Sequence, residues 1–430
     1  MSELKIYFGC FKVYRFANAI GMRQLHSVSM IVWNEFLNDA RVRKEAETLQ
    51  SRGFMVSIHA LHTPGVTVER EVLSSGVNVI RIPRSPLWRL RKRSSSTCQA
   101  INGNGSGAIG SISIYKRILR VIARLWTHLG LMLAIIKSRP DVVHAHDVNT
   151  LPTAWLASII THSPLVYDAH EISTDREGYN SFRSFVGFIE RHLMPRAAAI
   201  ITTTDTRAKF FARAYGVPRP LVLQNRPRYH LIRKSTKIRD ELCLEKNWPI
   251  VLYQGGLQQG RGLDLLVEAV VSVPNAYFVF IGGGRMEWHL RNRAEDLGLS
   301  PRVFFIPTVS LDDLPYYTAS ADIGVQPIEN TCLNHFSTDS NKLFEYMMAG
   351  LPVVATAMPE IRKLVLENSI GIVVDSGNVQ ALATAIQSLV EDVNKREVLS
   401  RNALLAAKKF NWEEQENSLV DLYRKILQVR

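Results

Sequence analysis

The sequence is poor in cysteine and has no clustered metal-binding pattern. Its four cysteines are scattered over 430 residues, at Cys10, Cys98, Cys243 and Cys332. Structural zinc sites and disulfide frameworks both need closely spaced or paired cysteines. We therefore expect no bound metal and no cofactor, and a reducing environment such as the cytoplasm.

Long apolar stretches are also missing. The N-terminus, MSELKIYFGCFK, has an early acidic residue and lacks the apolar core of a secretory signal. The longest apolar run, 129–136, is too short to span a bilayer. The sequence thus predicts neither a signal peptide nor a transmembrane segment. Residues 1–27 match no pattern and are an unassigned N-terminal extension.

Acidic residues are absent from one long stretch, 72–140. The same stretch carries twelve basic residues, namely Arg81, Arg84, Arg89, Arg91, Lys92, Arg93, Lys116, Arg117, Arg120, Arg124, Lys137 and Arg139. They nearly account for the net charge of +13, so the rest of the chain is close to neutral. The basic region 81–139 predicts an anionic partner, either a membrane surface or a nucleic acid.

Strand-like and helix-like segments alternate along the chain. The predicted strands are 28–36, 54–61, 141–147, 163–171 and 197–204 in the first half, and 249–256, 277–284, 302–307, 321–327 and 351–356 in the second. Such alternation predicts an α/β fold with parallel sheets flanked by helices. We predict two Rossmann-like doubly wound domains, 28–225 and 249–412, joined by the polar linker 226–248.

Two glycine-rich turns follow predicted strands of the second domain. YQGGLQQGRG (253–262) runs into a helix and adds Arg261, and IGGG (281–284) repeats the design. Glycines let a ligand approach the backbone, and a helix N-terminus with an arginine attracts phosphate. Plain turns are the alternative, but two in one domain favour an anion site. Its predicted members are Gly255, Gly256, Gly282, Gly283, Arg261 and Arg285.

The stretch DSNKLFEYMMAGLPVVAT (339–356) holds a carboxylate, Glu345, in the first half of a short apolar helix. A ribose diol offers two hydroxyls, and such a carboxylate can accept a hydrogen bond from each of them. The polar residues before Glu345 place hydroxyls and N–H donors at the start of this helix. They are Ser337, Thr338, Asp339, Ser340, Asn341 and Lys342. With the glycine turns, this pattern predicts a nucleotide-diphosphate site.

Polar residues also follow two predicted strands of the first domain. HAHD (144–147) contributes His146 and Asp147, and YDAHE (167–171) contributes a second group, Asp168, His170 and Glu171. Ligands of open parallel sheets bind at the carboxyl ends of strands. The alternative for His146 is an ordinary core or surface histidine, whose hydrogen bonds are made to the protein or to water and not to a ligand. We expect His144 to point into the sheet.

These motifs resemble those of glycosyltransferase family 4, retaining nucleotide-sugar-dependent enzymes of the GT-B fold. The resemblance covers residues 28–430 and is strongest in NKLFEYMMAGLPVVAT, GGLQQGRG, DVVHAHDVNTLPTAWLA and NDARVRKEAETLQSRGFMVSIHAL. It implies two Rossmann-like domains facing a cleft. It also implies that the C-terminal helix, 413–430, crosses back to the first domain.

The resemblance implies roles for single residues. Glu345 corresponds to the family's ribose-binding glutamate, Arg261 to its diphosphate-binding basic residue, and His146 to the histidine that reaches the donor sugar. We take these three as catalytic. Asn225 corresponds to an asparagine ending the first domain's last strand. Asp147, Asp168, His170 and Glu171 are expected on the acceptor side or behind it.

Two positions depart from the family pattern. Ser337 stands where the family has a glutamate that touches the donor sugar, and Gly256 stands where it has an arginine. We expect Ser337, Thr338, Asp339 and Lys342 to serve the sugar side. Arg285 is the candidate that replaces the missing charge.

The acceptor hypothesis depends on the basic region. Residues 115–137 have helical period, with an apolar face that we expect to pack on the sheet and a basic face that includes His128. Together with 83–93, which contains Trp88 and Leu90, the basic face suits an anionic membrane. No nucleic-acid motif accompanies it, so we expect no nucleic acid.

The resemblance therefore implies a retaining transferase acting by front-face attack, and with no metal-binding pattern in the sequence we expect it to be metal-independent. Its donor is a UDP- or GDP-linked sugar, and its acceptor is a lipid-linked or cell-surface glycan precursor at the inner face of the membrane. Two alternatives stay open. One is a non-catalytic nucleotide-sugar binder that assists another transferase, and the other is a nucleotide-sugar epimerase of the same architecture.

Overall fold

The computed structural model describes residues 26–84, 114–176, 182–230, 232 and 234–428. Three predicted features lie outside these residues. They are the N-terminal extension up to residue 25, the basic segment 85–93 with Trp88 and Leu90, and the stretch 91–111, whose Ser/Gly/Asn-rich composition predicts a loop.

The chain forms fourteen strands and fifteen α-helices within the described residues. The strands are β1 Ser27–Ile31, β2 Met55–His62, β3 Arg70–Val72, β4 Asn78–Pro83, β5 Val142–His146, β6 Leu165–Ala169, β7 Ala199–Thr202, β8 Leu221–Val222, β9 Ile250–Gln254, β10 Tyr277–Ile281, β11 Val303–Ile306, β12 Ile323–Gln326, β13 Val353–Thr356 and β14 Gly371–Val374. The helices are α1 Ala40–Ser51, α2 Ile114–Ser138, α3 Leu151–Thr161, α4 Arg183–Leu193, α5 Asp205–Tyr215, α6 Lys237–Glu241, α7 Leu263–Val271, α8 Glu287–Asp296, α9 Leu314–Thr318, α10 Leu333–Phe336, α11 Asn341–Met348, α12 Pro359–Glu367, α13 Val379–Glu391, α14 Val393–Ala407 and α15 Glu413–Gln428.

The strands form two sheets dominated by parallel pairs. The eight-stranded sheet has the order β3-β4-β2-β1-β5-β6-β7-β8, with β3 antiparallel to β4. The six-stranded sheet has the order β11-β10-β9-β12-β13-β14. In each sheet the chain starts at a central strand, β1 or β9, adds strands on one side of it, and then continues on the other side. Ligands of open α/β sheets bind at the strand ends where the order reverses in this way. The predicted pair of Rossmann-like α/β sheets is confirmed.

The chain divides into two compact units. The first unit contains the described residues up to Asp168, Arg196–Ala199 and the chain from Tyr423 onward. The second unit contains the described residues of Ala169–Pro195 and Ile200–Leu422.

The second sheet is buried on both faces, which explains its continuous apolar strands. Alternate residues of β9 enter different cores, Ile250 and Leu252 on one face and Val251 and Tyr253 on the other. Apolar residues of α11 fill the first core, and α7 and α13 fill the second. This packing fixes the end of β9, where the glycine turn begins.

Helix α2 is present as predicted, but its orientation is the reverse of our expectation. Seven residues of its predicted apolar face are 45–63% exposed, namely Ile118, Val121, Ile122, Leu125, Trp126, Leu129 and Leu133. Thr127, Leu131 and Ile135 are buried instead. His128, expected on the outer face, stacks on Trp33 with ring centroids 4.0 Å apart. A hydrophobic stripe alone does not reveal which of two apolar faces packs inward.

The basic region is likewise not uniformly outward-facing. Arg81 is 3% exposed, and its Nη2 donates to Glu71 Oε1 at 2.7 Å. It is therefore a structural cation, contrary to the prediction. Arg120, Arg124 and Lys137 on α2 are exposed. By length and composition, the segment Ile118–Ser138 is the one described helix that could cross a membrane.

Candidate functional site

The two predicted glycine turns lie against each other in the second unit. Gly255 donates its N–H to the Ile281 carbonyl at 2.8 Å, and Leu257 donates to the Gly283 carbonyl at 3.0 Å. Gly255 and Gly282 have φ angles of 125° and 134°, which side-chain-bearing residues rarely adopt. A Cβ on Gly282 would lie 2.3 Å from the Gly255 carbonyl oxygen. The glycines are thus required for the close approach of the turns.

Helix α7 begins directly after the first glycine turn. Its N-cap residue, Gly262, has φ 69° and supplies no side-chain cap. A Cβ there would lie 1.8 Å from the Pro327 carbonyl oxygen, so only glycine fits. The Glu329 carboxylate accepts from the Gly262 N–H at 3.1 Å and partly offsets the positive charge of this helix start. Gly262 itself adds no capping side chain, so the N–H groups of the first turn of α7 can still attract an anionic ligand.

Two cations converge on this turn. Arg261 is partly exposed, and within the described part of the chain it has no hydrogen-bond or ion-pair partner. Lys342, from α11, extends towards Gly255. Burial and the positive charge of Arg261 lower the pKa of Lys342 to about 8, although Glu345 opposes this shift. Arg285 follows the second turn and is exposed. The turn region therefore carries positive charge available to a ligand.

The Glu345 carboxylate is held in a defined orientation beside this turn. Gln254, the last residue of β9, donates its Nε2–H to Glu345 Oε2. The Gln254 Oε1 in turn accepts from the Thr318 hydroxyl at 2.8 Å. The side chain of Glu345 is half-buried. A fixed, half-buried carboxylate is suited to accept hydrogen bonds from a ligand diol.

Two of the residues predicted to contact the donor sugar make hydrogen bonds with other groups of the protein. Ser337 is 1% exposed, donates to the Leu333 carbonyl at 2.6 Å and accepts from Arg207 Nε at 3.1 Å. Asp339 is 5% exposed and accepts from Gln224 Nε2 at 2.9 Å. Burial raises the pKa of Asp339, while Arg207 and Gln224 act against this shift. These contacts tie both residues to the protein.

The remaining polar residues stand at the start of α11. The Ser340 backbone N–H donates to Thr338 Oγ1 at 3.2 Å, and Ser340 has a φ of 54°. Asn341 is exposed. The side chains of Thr338, Ser340 and Asn341 thus frame the N-terminus of the helix that carries Lys342 and Glu345.

His146 belongs to a buried polar cluster in the first unit. It ends β5, is 2% exposed, and its Nδ1 lies 3.4 Å from Asp168 Oδ2. Arg41 of α1 holds Asp168 through Nε and Nη2 at 2.7 and 2.9 Å. The same Arg41 Nε lies 3.2 Å from Glu45 Oε1. Asp168 therefore orients the imidazole of His146 and is itself fixed by a guanidinium.

His144, which we expected to point into the sheet, is fully buried and shares the face of β5 with His146. Their ring centroids are 4.1 Å apart, because residues two apart on a strand project to the same side. The His144 Nδ1 lies 2.7 Å from the Tyr423 hydroxyl of α15. Burial, Glu45 and Asp168 raise the pKa of Tyr423, so its hydroxyl stays protonated.

The cluster contains groups that can ligate a metal. One ligand atom each of Glu45, His144, His146 and Asp168 lies within 4.8 Å of the others. Burial acts against the charge of Arg41, but Asp168 and Glu45 outweigh it and raise the pKa of the guanidinium. Since this fixed cation already pairs with both carboxylates, a divalent metal would face strong repulsion. The arrangement fits an ion-pair network better than a metal centre.

The other residues predicted on the acceptor side have contacts of their own. Asp147 has φ 62° and donates its backbone N–H to the Asp168 carbonyl at 3.0 Å. In the second unit, the His170 carbonyl accepts from Arg207 Nη1, and Glu171 pairs with Arg176 at 3.3 Å. Asn225 is half-buried. Asp147, His170 and Glu171 thus each have a contact within the protein.

Several members of the two sites were not predicted from the sequence. Arg41 and Glu45 are charged residues on the buried face of α1, and charges at such positions usually have partners. Gln254 ends a buried strand, where an amide signals a hydrogen-bonding task. Tyr423 carries no local signal, because its partner is 279 positions away in sequence.

Two protein-family models match most of the chain. "Glycosyl transferase 4-like domain" matches residues 39–226, and "Glycosyl transferases group 1" matches residues 234–405. The D-inositol 3-phosphate glycosyltransferase of Corynebacterium urealyticum is 24% identical over 408 residues, covering 90% of this chain and 89% of that protein. The enzyme of the same name from Xylanimonas cellulosilytica is 25% identical over 305 residues, covering 66% and 71%.

Solved structures share the fold. Sucrose-phosphate synthase from Thermosynechococcus elongatus superposes with a TM-score of 0.74 at 18% identity, covering 94% of this chain and all of that chain. Anabaena HepE in complex with UDP-glucose gives a TM-score of 0.70 at 18% identity, with 93% and 99% covered.

Proposed function

The chain belongs to glycosyltransferase family 4 with the GT-B fold, and from this premise we propose a retaining transferase that serves a membrane-bound acceptor. The enzyme transfers a sugar from a nucleotide sugar. Our proposal adds a lipid-linked or cell-surface glycan precursor as acceptor, a UDP- or GDP-linked donor, and action without a metal at the cytoplasmic face of a membrane. UDP fits because a structural neighbour binds UDP-glucose.

The observation that carries the donor proposal is the convergence of complementary groups at one end of β9. Arg261 and the start of α7 supply positive charge to a diphosphate. Glu345, oriented by Gln254, supplies acceptors to the ribose diol. The site therefore offers positive charge for the diphosphate and hydrogen-bond acceptors for the ribose of one nucleoside diphosphate.

The proposed reaction is a front-face displacement. The bond between the anomeric carbon and the β-phosphate oxygen breaks, and its electron pair stays with the diphosphate. The acceptor hydroxyl oxygen bonds to the same face of that carbon and gives its proton to the departing phosphate oxygen. Arg261 and the α7 N-terminus stabilise the charge that develops on the diphosphate. Asp168 holds the imidazole of His146 in a fixed orientation, and the family resemblance assigns this histidine to the donor sugar.

The exposed apolar face of α2 supports the membrane proposal. Besides the seven exposed residues of α2, the neighbouring helix α3 exposes Leu156, Ile159 and Ile160. Arg120 and Arg124 are exposed on α2. An apolar helical face with basic residues beside it binds an anionic interface through both burial and charge. Because Leu131 and Ile135 pack into the first unit, we propose that α2 lies on the membrane and does not cross it.

The alternative of a non-catalytic nucleotide-sugar binder also has an observation in its favour. Ser337, which replaces the family's sugar-binding glutamate, is occupied by Arg207 and the Leu333 carbonyl. A protein that binds the donor without transfer would show tight nucleotide-sugar binding and no diphosphate release. An epimerase would convert the nucleotide sugar to its epimer without any lipid.

The test is a panel of UDP- and GDP-sugars, scored for release of nucleoside diphosphate with and without extracted membrane lipid. We expect release from one donor, increased by lipid. Glu345→Ala and Arg261→Ala should each lower kcat/KM by about 100-fold, as for loss of a charged transition-state contact. Arg291→Ala removes an exposed arginine of α8 and serves as the matched control. Binding of a donor without release, whatever the lipid, would overturn the transferase proposal.

A further inference from the structure

Lys342 is a cation of the second unit to which the donor proposal assigns no task. On sequence grounds it belongs to the sugar side, but its side chain lies on the glycine turn. We propose that Lys342 is a second diphosphate-binding cation, supplying from α11 the charge that Gly256 does not. This inference rests on the proposed function and names a further binding residue of the same site.

The geometry places the Lys342 ammonium against the backbone of the turn. A Cβ on Gly255 would lie 2.6 Å from Lys342 Cε and 2.9 Å from Nζ. With no side chain at Gly255 or Gly256, the space over the turn is open to the lysine. In the family pattern, an arginine of the turn itself supplies this charge. Here we propose that Lys342 of helix α11 supplies it.

The ammonium is placed without a counterion of its own. Its Nζ lies 5.1 Å from the centre of the Tyr253 ring. Within the described residues it makes no hydrogen bond and no ion pair. The carboxylate on its own helix, Glu345, is engaged by Gln254. A partly buried ammonium without an acceptor is unfavourable unless a ligand supplies one.

The charges around Lys342 point to an anion. Arg261 faces it from the turn, Glu345 from α11 and the Tyr253 ring from β9. Burial and Arg261 lower its pKa to about 8, so in the free protein this lysine loses its proton as the pH rises through about 8. A diphosphate bound near both cations would relieve their repulsion and favour the protonated lysine.

The first experiment separates binding of the diphosphate from binding of the base. Calorimetric titrations at pH 7 compare UDP with uridine, and GDP with guanosine, on the full chain. Lys342→Met keeps the aliphatic stem but removes the charge, and Lys342→Arg keeps the charge. We expect Lys342→Met to weaken diphosphate binding by about 10- to 100-fold, as for loss of one charged hydrogen bond. Nucleoside binding should stay within about twofold, and Lys342→Arg within about fivefold of the wild type.

The second experiment uses the pH dependence of the same affinity between pH 7 and 9.5. Only the protonated lysine attracts the diphosphate, so wild-type affinity should fall as pH rises above about 8. Lys342→Arg stays charged and should lack this fall.

Two results would overturn the inference alone. One is wild-type diphosphate affinity in Lys342→Met, and the other is an equal loss of nucleoside and diphosphate binding, which indicates a structural role. A wild type that binds no nucleoside diphosphate would overturn the proposed function as well.

Discussion

At the scale of single residues, Asp168 determines how His146 is held. Asp168→Asn keeps the shape but removes the charge that pairs with Arg41 and faces the His146 Nδ1. We expect kcat to fall by roughly 10- to 100-fold because the imidazole loses its fixed orientation. Donor KM should change by less than about threefold, because Asp168 belongs to the first unit and the groups proposed to bind the diphosphate belong to the second. Steady-state kinetics with the identified donor measure both.

The same substitution has a stability effect that serves as a second readout. Asp168 and Arg41 are both buried, and removing one partner of a buried ion pair costs about 3–5 kcal/mol. Urea unfolding should therefore show a lower free energy of unfolding. Asp313→Asn, which breaks an exposed pair with Lys237, is the matched control and should change little. Full activity in a destabilised Asp168→Asn would refute the positioning role of Asp168.

At the scale of elements, helix α2 is the feature whose exposed face calls for a partner. Leu125 and Trp126 are 63% and 59% exposed on its N-terminal half. The double substitution Leu125→Gln/Trp126→Gln should weaken binding to anionic vesicles by at least about tenfold, since each buried apolar side chain contributes about 1.5–3 kcal/mol. Co-sedimentation with vesicles measures this.

The control for α2 lies in the second unit. Trp288→Gln removes a tryptophan that is 75% exposed on α8 and should leave vesicle binding unchanged. Neutral vesicles should bind the wild type more weakly than anionic ones, because Arg120 and Arg124 then find no anionic lipid. Equal binding by the wild type and the α2 double variant would exclude this face as the membrane contact.

At the scale of the whole molecule, acid stability depends on a histidine in the first sheet. Burial lowers the pKa of His59 to about 4. The unfolded chain, with an ordinary histidine pKa of about 6.5, then binds the proton first. Stability is full above pH 6.5 and falls as pH decreases to about 4, by a total of about 3 kcal/mol from this residue.

The measurement is the free energy of unfolding at a series of pH values between 7 and 4. His59→Gln cannot take up the proton, so its stability should decline less steeply than that of the wild type. His289→Gln, at an exposed position on α8, should follow the wild type. Parallel pH profiles for the wild type and His59→Gln would contradict the assignment of this acid sensitivity.

Some elements of the fold were predictable from the sequence and others were not. Five of the six strands of the second sheet, β9 to β13, were predicted within a few residues, because buried parallel strands are continuous apolar runs. Strands β3, β4, β8 and β14 were missed, since they are short or only partly buried and carry weaker patterns. The face on which α2 packs was predicted wrongly, as periodicity identifies an apolar stripe but not what covers it.

The sequence by itself determined the family, the two parallel α/β sheets and the motifs at the strand ends. It did so because glycine, cap and periodicity signals act over a few residues. Only the tertiary structure decided which side chains meet. Tyr423 reaches His144, Arg41 holds Asp168, Ser337 is occupied by Arg207, and Lys342 lies on the turn at Gly255. Such contacts join positions far apart in the chain, and packing of the whole molecule sets their distances.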